Sequence, residues 1–205
     1  MTFQQPPSPA LRSPRSLHPA VTLVMATLGL GLNLRASILL GPHLHERFGV
    51  RPGVYVLLLG FPVLVGALVR LPVGVLTDRY GARVMLPAVS LAAAATVCGL
   101  GLADRLPAVV VAGTAAGVAG GAFVVGTALV ARTFSYGVRG RALGLFGVGA
   151  AVAGALSAIS RGFDPNGRQA AFVLGGLLVG FAGLAALVLR DPIAVGGDGS
   201  PMRGA

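Results

Sequence analysis

Leu106-Pro-Ala-Val-Val-Val-Ala-Gly-Thr-Ala-Ala-Gly-Val-Ala-Gly-Gly-Ala-Phe-Val-Val-Gly-Thr-Ala-Leu-Val-Ala131 runs for 26 residues without a charged side chain. Wound as an α-helix it would be about 39 Å long, more than the ~30 Å hydrocarbon core of a bilayer. Three neighbouring stretches pass the same test. Val84–Ala103 has 20 uncharged residues, Ala142–Ser160 has 19 and Gln169–Leu189 has 21. Pro19–Leu44 and Pro52–Thr77 join them if each carries one arginine, Arg35 and Arg70. None of the six shows the polar face that a helix of a water-soluble core must keep. The expected fold is an all-α membrane bundle of six transmembrane helices.

Composition agrees. Of the 205 residues 55% are hydrophobic and 11% charged, against about a quarter charged in a soluble domain. The net charge of +10 comes from arginine alone, gathered in short loops and tails. With no basic helix face and no aromatic platform, nucleic acid is not an expected partner. Lipid headgroups of the bilayer are. The single Cys98 excludes an internal disulfide framework, and no cofactor is expected. The first apolar run is too long for a cleavable signal, so it reads as a helix that stays. The chain divides into an N-terminal tail (1–19), the bundle (20–190) and a C-terminal tail or linker (191–205). Arg12, Arg15, Arg190 and Arg203 in the tails favour placing both termini in the cytoplasm, in a plasma or inner membrane.

A weak echo runs through the bundle. Phe48-Gly-Val-Arg51 returns as Tyr136-Gly-Val-Arg139, and Val65-Gly-Ala-Leu68 as Ala153-Gly-Ala-Leu156, both 88 residues apart. That offset relates the second helix to the fifth, as expected for two inverted three-helix units. Gly113, Gly117 and Gly121, and likewise Gly140, Gly144 and Gly147, form small-residue stripes of the kind that let helices approach closely.

The most specific local pattern is Gly74-Val-Leu-Thr-Asp78-Arg79-Tyr-Gly81-Ala-Arg83, which links the second and third helices. It sets a carboxylate among guanidiniums at a tight turn on Gly81. There Asp78 can cap a helix N-terminus or pair with an arginine, holding one arrangement of the bundle. This resembles the signature loop of the major facilitator superfamily at every defining position: Gly74, Asp78, Arg79, Gly81 and Arg83. Val65-Gly-Ala-Leu-Val-Arg70-Leu-Pro72, Gly120-Gly-Ala-Phe123-Val-Val-Gly126 and Gly140-Arg-Ala-Leu-Gly144-Leu-Phe-Gly147 look like its nitrate/nitrite porter branch. Asn33-Leu-Arg35 looks like the cyanate-permease-like branch.

The resemblance implies a transporter, with Arg70 gripping a small anionic solute and Phe123 packing beside it. Asn33 and Arg35 are further candidates for the substrate. In one place the chain departs from the porter pattern: Gly147-Val-Gly149-Ala-Ala-Val152 lacks the asparagine expected there, which weakens the case for nitrate itself. The residues support Arg70 independently. A charge at membrane depth costs several kcal/mol, so it usually faces a cavity. Pro62 and Pro72 free the carbonyls of Leu58 and Leu68 around it. The resemblance covers about one six-helix half of a facilitator, so a second six-helix body or self-association is an expected partner.

Two other classes compete. A membrane enzyme of the CDP-alcohol phosphatidyltransferase type would share the size and the Asp78…Ala82-Arg83 spacing. Its metals need further carboxylates on the next helix, where this chain has Ala92, Thr96 and Leu100. His43, His45 and Glu46 share a loop and read as a solvated turn rather than a metal site. The other competitor is a membrane interaction protein that transports nothing.

Overall fold

The computed structural model describes residues 19–39, 49–163 and 168–189. Six membrane-length helices fill them, and no strand occurs among the described residues. They are α1 (Pro19–Ile38), α2 (Pro52–Tyr80), α3 (Ala82–Leu102), α4 (Leu106–Thr133), α5 (Tyr136–Phe163) and α6 (Arg168–Val188). The loop with His43, His45 and Glu46 and both tails lie outside the described residues, and no cluster of metal-ligating side chains occurs within them. The chain is a multi-pass membrane protein.

The pairing of helices carries the internal symmetry. α1 packs on α5, α2 on α4, α3 on α6 and α1 on α4, with α1 also meeting α6 and α4 meeting α3. Exchanging the first, second and third helices for the fourth, fifth and sixth maps these pairings onto one another. That is the arrangement of two three-helix units implied by the 88-residue echo.

Hydrocarbon gives helices no hydrophobic reason to associate, so close backbone approach has to hold them. Glycine supplies it at both equivalent crossings. Where α1 meets α5, a Cβ on Gly31 would lie 3.0 Å from the Gly149 carbonyl oxygen. Where α2 meets α4, a Cβ on Gly120 would lie 3.0 Å from the Gly66 Cα, and one on Gly117 would overlap the Pro62 carbonyl.

At this second crossing α4 is overwound, and Ala116–Gly120 forms a 3₁₀ turn between α-helical halves, Leu106–Ala115 and Gly121–Thr133. In a 3₁₀ turn residues three apart eclipse. Gly117 and Gly120 therefore share the tightest approach, against Pro62 and Gly66 of α2, while Gly121, on the same stripe as Gly117 in the sequence spacing, meets α2 further along at Val73. The other stripe departs from expectation as well. Gly140, Gly144 and Gly147 meet nothing within 4 Å and face outward from the bundle.

Polar groups inside are few and placed. The Asn33 side-chain amide donates to the Gly29 carbonyl at 2.8 Å and to Ser90 Oγ at 3.0 Å, tying α1 to α3. Thr77 and Ser157 turn their hydroxyls back onto Val73 and Ala153 in their own helices, which satisfies them without help from water.

Candidate functional site

The site is built outward from a missing side chain. Because Gly126 in α4 has no Cβ, the Phe146 ring of α5 can occupy its place; a Cβ there would lie 2.6 Å from Phe146 Cζ. Phe146 is fully buried. Its ring supports Phe123, with centroids 5.9 Å apart and planes tilted by 44°. Phe123 is partly exposed, and the Arg70 guanidinium of α2 lies over its face, 5.4 Å from the ring centroid. Gly126, Phe146, Phe123 and Arg70 thus form a stack from the core to the surface, drawn from three helices.

Arg70 stands ten residues before the end of α2 at Tyr80, about 15 Å along the helix axis. Its side chain is exposed, and among the described residues it has no carboxylate partner. The ring makes no hydrogen bond to the guanidinium, whose donors no carboxylate occupies among the described residues. Those donors form a planar fork suited to a planar oxyanion. The two candidates from α1 are placed differently. Asn33 and Arg35 are both buried in the bundle, and the Asn33 carbonyl oxygen finds no partner among the described residues.

The signature loop lies at the bundle end where α2 turns into α3. Gly81 adopts φ 83°, a left-handed conformation that favours glycine, and its N–H closes α2 on the Thr77 carbonyl at 3.0 Å. Asp78 does not cap α3, whose first turn has no side-chain cap. It accepts instead a 2.8 Å hydrogen bond from Arg132 at the end of α4. Both partners are exposed, so the pair adds at most ~1 kcal/mol to stability. Its effect is to tie the ends of α2 and α4 together. Arg79 stacks on Tyr80 at 5.5 Å, Gly74 packs toward Val124 and Arg83 is exposed.

Sequence reasoning missed Arg132, Phe146 and Gly126. The last two lay inside quoted glycine-rich stretches, yet nothing in their spacing told a supporting ring from ordinary packing. Arg132 was readable only as a charge ending an apolar run.

Comparison with known proteins adds to this geometry. Over a 90-residue stretch, 42% of this chain, the sequence is 39% identical to proteins described as probable nitrate/nitrite transporter NarK2 from two Mycobacterium tuberculosis strains, CDC 1551 / Oshkosh and ATCC 25618 / H37Rv. The match spans 23% of the length of each relative. No solved structure matches the chain. The family model of the Major Facilitator Superfamily matches residues 21–203, and with six membrane helices in two interlocked three-helix units, the chain belongs to that superfamily.

Proposed function

We propose that this chain forms one six-helix body of a facilitator for a small planar oxyanion of the nitrate/nitrite class, with Arg70 as the charge anchor and Phe123 as its platform. The observation that carries the reading is the Arg70 guanidinium, stacked on Phe123 at membrane depth on an exposed face without a carboxylate partner. Left to hydrocarbon, that charge would be costly. Facing a water-filled cavity that admits an anion, it is stabilised in each state of a transport cycle.

A second six-helix body would supply the other wall of the cavity and allow alternating access, whether on the same polypeptide or on another chain. The Asp78–Arg132 pair, joining the ends of α2 and α4, would then bias one arrangement of the bundle. α5 brings no polar side chain along Gly147–Val152. Selectivity would therefore rest on charge and shape more than on hydrogen bonds from α5. Both termini belong in the cytoplasm on this reading, which puts the signature loop on the inner side.

Calorimetry of the purified chain with nitrate, nitrite and cyanate tests the reading. Weak binding of nitrate or nitrite, and no binding of a cation such as choline, is the expected result. If no anion gives a saturable signal, the anion assignment fails.

A further inference from the structure

No hydrogen bond or ion pair holds the Arg70 side chain among the described residues; its one ring contact is Phe123. Phe123 is itself exposed, so its ring has open space to turn into unless something braces it from behind. Phe146 stands there. Among the described residues it has the largest volume of the fully buried side chains, and its ring centroid lies 5.9 Å from that of Phe123.

Phe146 is in turn held by two backbones. Gly126 follows Phe123 by three residues, so both lie on one face of α4, and the Phe146 ring takes the space that a Gly126 Cβ would need. One turn further along α5, a Cβ on Gly149 would lie 2.5 Å from the Thr27 carbonyl oxygen of α1 and 3.1 Å from Leu30 Cβ. α5 is therefore clamped against α1 at Gly149, and the ring it carries reaches the α4 backbone at Gly126. A ring in so filled a space has few rotamers open to it. α2 packs on α4 and α3, and α5 on α1 and α4, so Phe123 is the link by which α5 reaches Arg70. The stack also joins the two three-helix units, with Arg70 from the first and both rings from the second.

We infer that Phe146 is a positioning residue of the anion site, with Gly126 as its socket: it braces Phe123, and through Phe123 it sets where the Arg70 guanidinium meets the oxyanion. Only that last link rests on the proposed anion-transport function; the bracing stands on geometry. A smaller side chain at 146 lets Phe123 lean into the vacated space. The guanidinium then loses its platform or follows it inward. Because the effect passes through Phe123, it vanishes once Phe123 is gone.

A double-mutant cycle on the purified full chain in detergent tests this. Calorimetry should show Phe146→Leu binding nitrate about threefold more weakly, the scale of one aromatic pair. Adding Phe146→Leu to Phe123→Leu should cause no further loss of nitrate binding, while thermal stability falls in both backgrounds. A merely structural role would lower nitrate binding equally in both backgrounds or in neither, and either result overturns the inference. A second readout needs no anion. 4-Fluorophenylalanine placed at position 123 gives a fluorine NMR resonance that senses the cation beside its ring, so Arg70→Gln should shift it. With Phe146→Leu that response should fall by at least half, and Gly126→Ala, which pushes the ring from its socket, should move the same resonance. If the resonance ignores Arg70→Gln, or Phe146→Leu leaves its response unchanged, Phe146 is not the brace. If the resonance behaves as expected but no protein binds nitrate, the anion reading falls and the bracing stands. Should circular dichroism show Phe146→Leu unfolded, Phe146→Met replaces it, filling a similar volume without a flat ring.

Discussion

Arg70→Lys is expected to weaken nitrate binding by roughly tenfold, at the lower end of what a hydrogen bond to a charged group contributes. Lysine keeps the positive charge, so a loss of this size measures the fork and the stack rather than electrostatics alone. The physical reason is orientation. The guanidinium lies over Phe123, 5.4 Å from the ring centroid, and its paired donors share one plane in which to meet an oxyanion. An ammonium has no plane to fix, and its stronger hydration opposes leaving water. Phe123→Leu should produce a smaller loss, because the charge and fork remain while their support becomes less defined. Calorimetry on the three proteins reads both effects. If Arg70→Lys binds nitrate and nitrite as tightly as wild type, Arg70 is not the anchor.

The second large effect concerns the α2–α4 crossing. Gly117→Ala is expected to lower the stability of the folded bundle by about 1–3 kcal/mol, the usual cost of forcing an extra methyl into a filled contact. Its Cβ would overlap the Pro62 carbonyl, which is backbone and cannot swing away, and would lie 3.0 Å from Val65 Cβ. Gly144→Ala is the matched control. Nothing lies within 4 Å of the Gly144 position, and alanine is the better helix former by up to ~1 kcal/mol. That variant should be neutral or slightly more stable. Thermal unfolding in detergent separates the two, and similar midpoints for both variants would show that the crossing is looser than its geometry states.

Both effects were partly legible in the sequence. Charge-free length placed four helices, and tolerating one arginine in each placed the other two, because a bilayer sets a minimum run that soluble folds do not need. Arg70 stood out because a charge inside such a run demands an explanation, and Phe123 because its stretch resembles a known branch. The glycines were harder to read. Spacing in fours presumes 3.6 residues per turn along the whole of α4, and the 3₁₀ turn at Ala116–Gly120 breaks that presumption. It adds Gly120, three residues from Gly117, to the α2 contact that Gly117 and Gly121 also make.

In α5 the stripe of Gly140, Gly144 and Gly147 looks in sequence just like a packed one. Only the placement of neighbouring helices shows that it faces away from the bundle. The partner of Asp78 was illegible for a related reason. Arg79 and Arg83 are near in sequence, but α4 brings Arg132, 54 residues on, within 2.8 Å.

The order in which helices pair also sets a timetable for biogenesis. α1 packs chiefly on α5, whose first residue follows that of α1 by more than a hundred positions, at Tyr136 against Pro19. At a synthesis rate of roughly 5–20 residues per second, α1 waits on the order of 6–23 s for its main partner to begin. Through that interval Arg35 and Asn33, both buried in the finished bundle, sit in a helix whose neighbours are incomplete. Insertion machinery or early contact with α3 and α4 must hold α1 meanwhile. The Asn33–Ser90 hydrogen bond can form as soon as α3 has entered the membrane. Chains halted just before Tyr136 should therefore keep α1 in the bilayer, and Ser90→Ala, which removes the acceptor without changing the hydropathy of α1, should let it slip to the protease-accessible side during the pause. If the two stalled chains are equally protected, the hydrogen bond has no part in the wait.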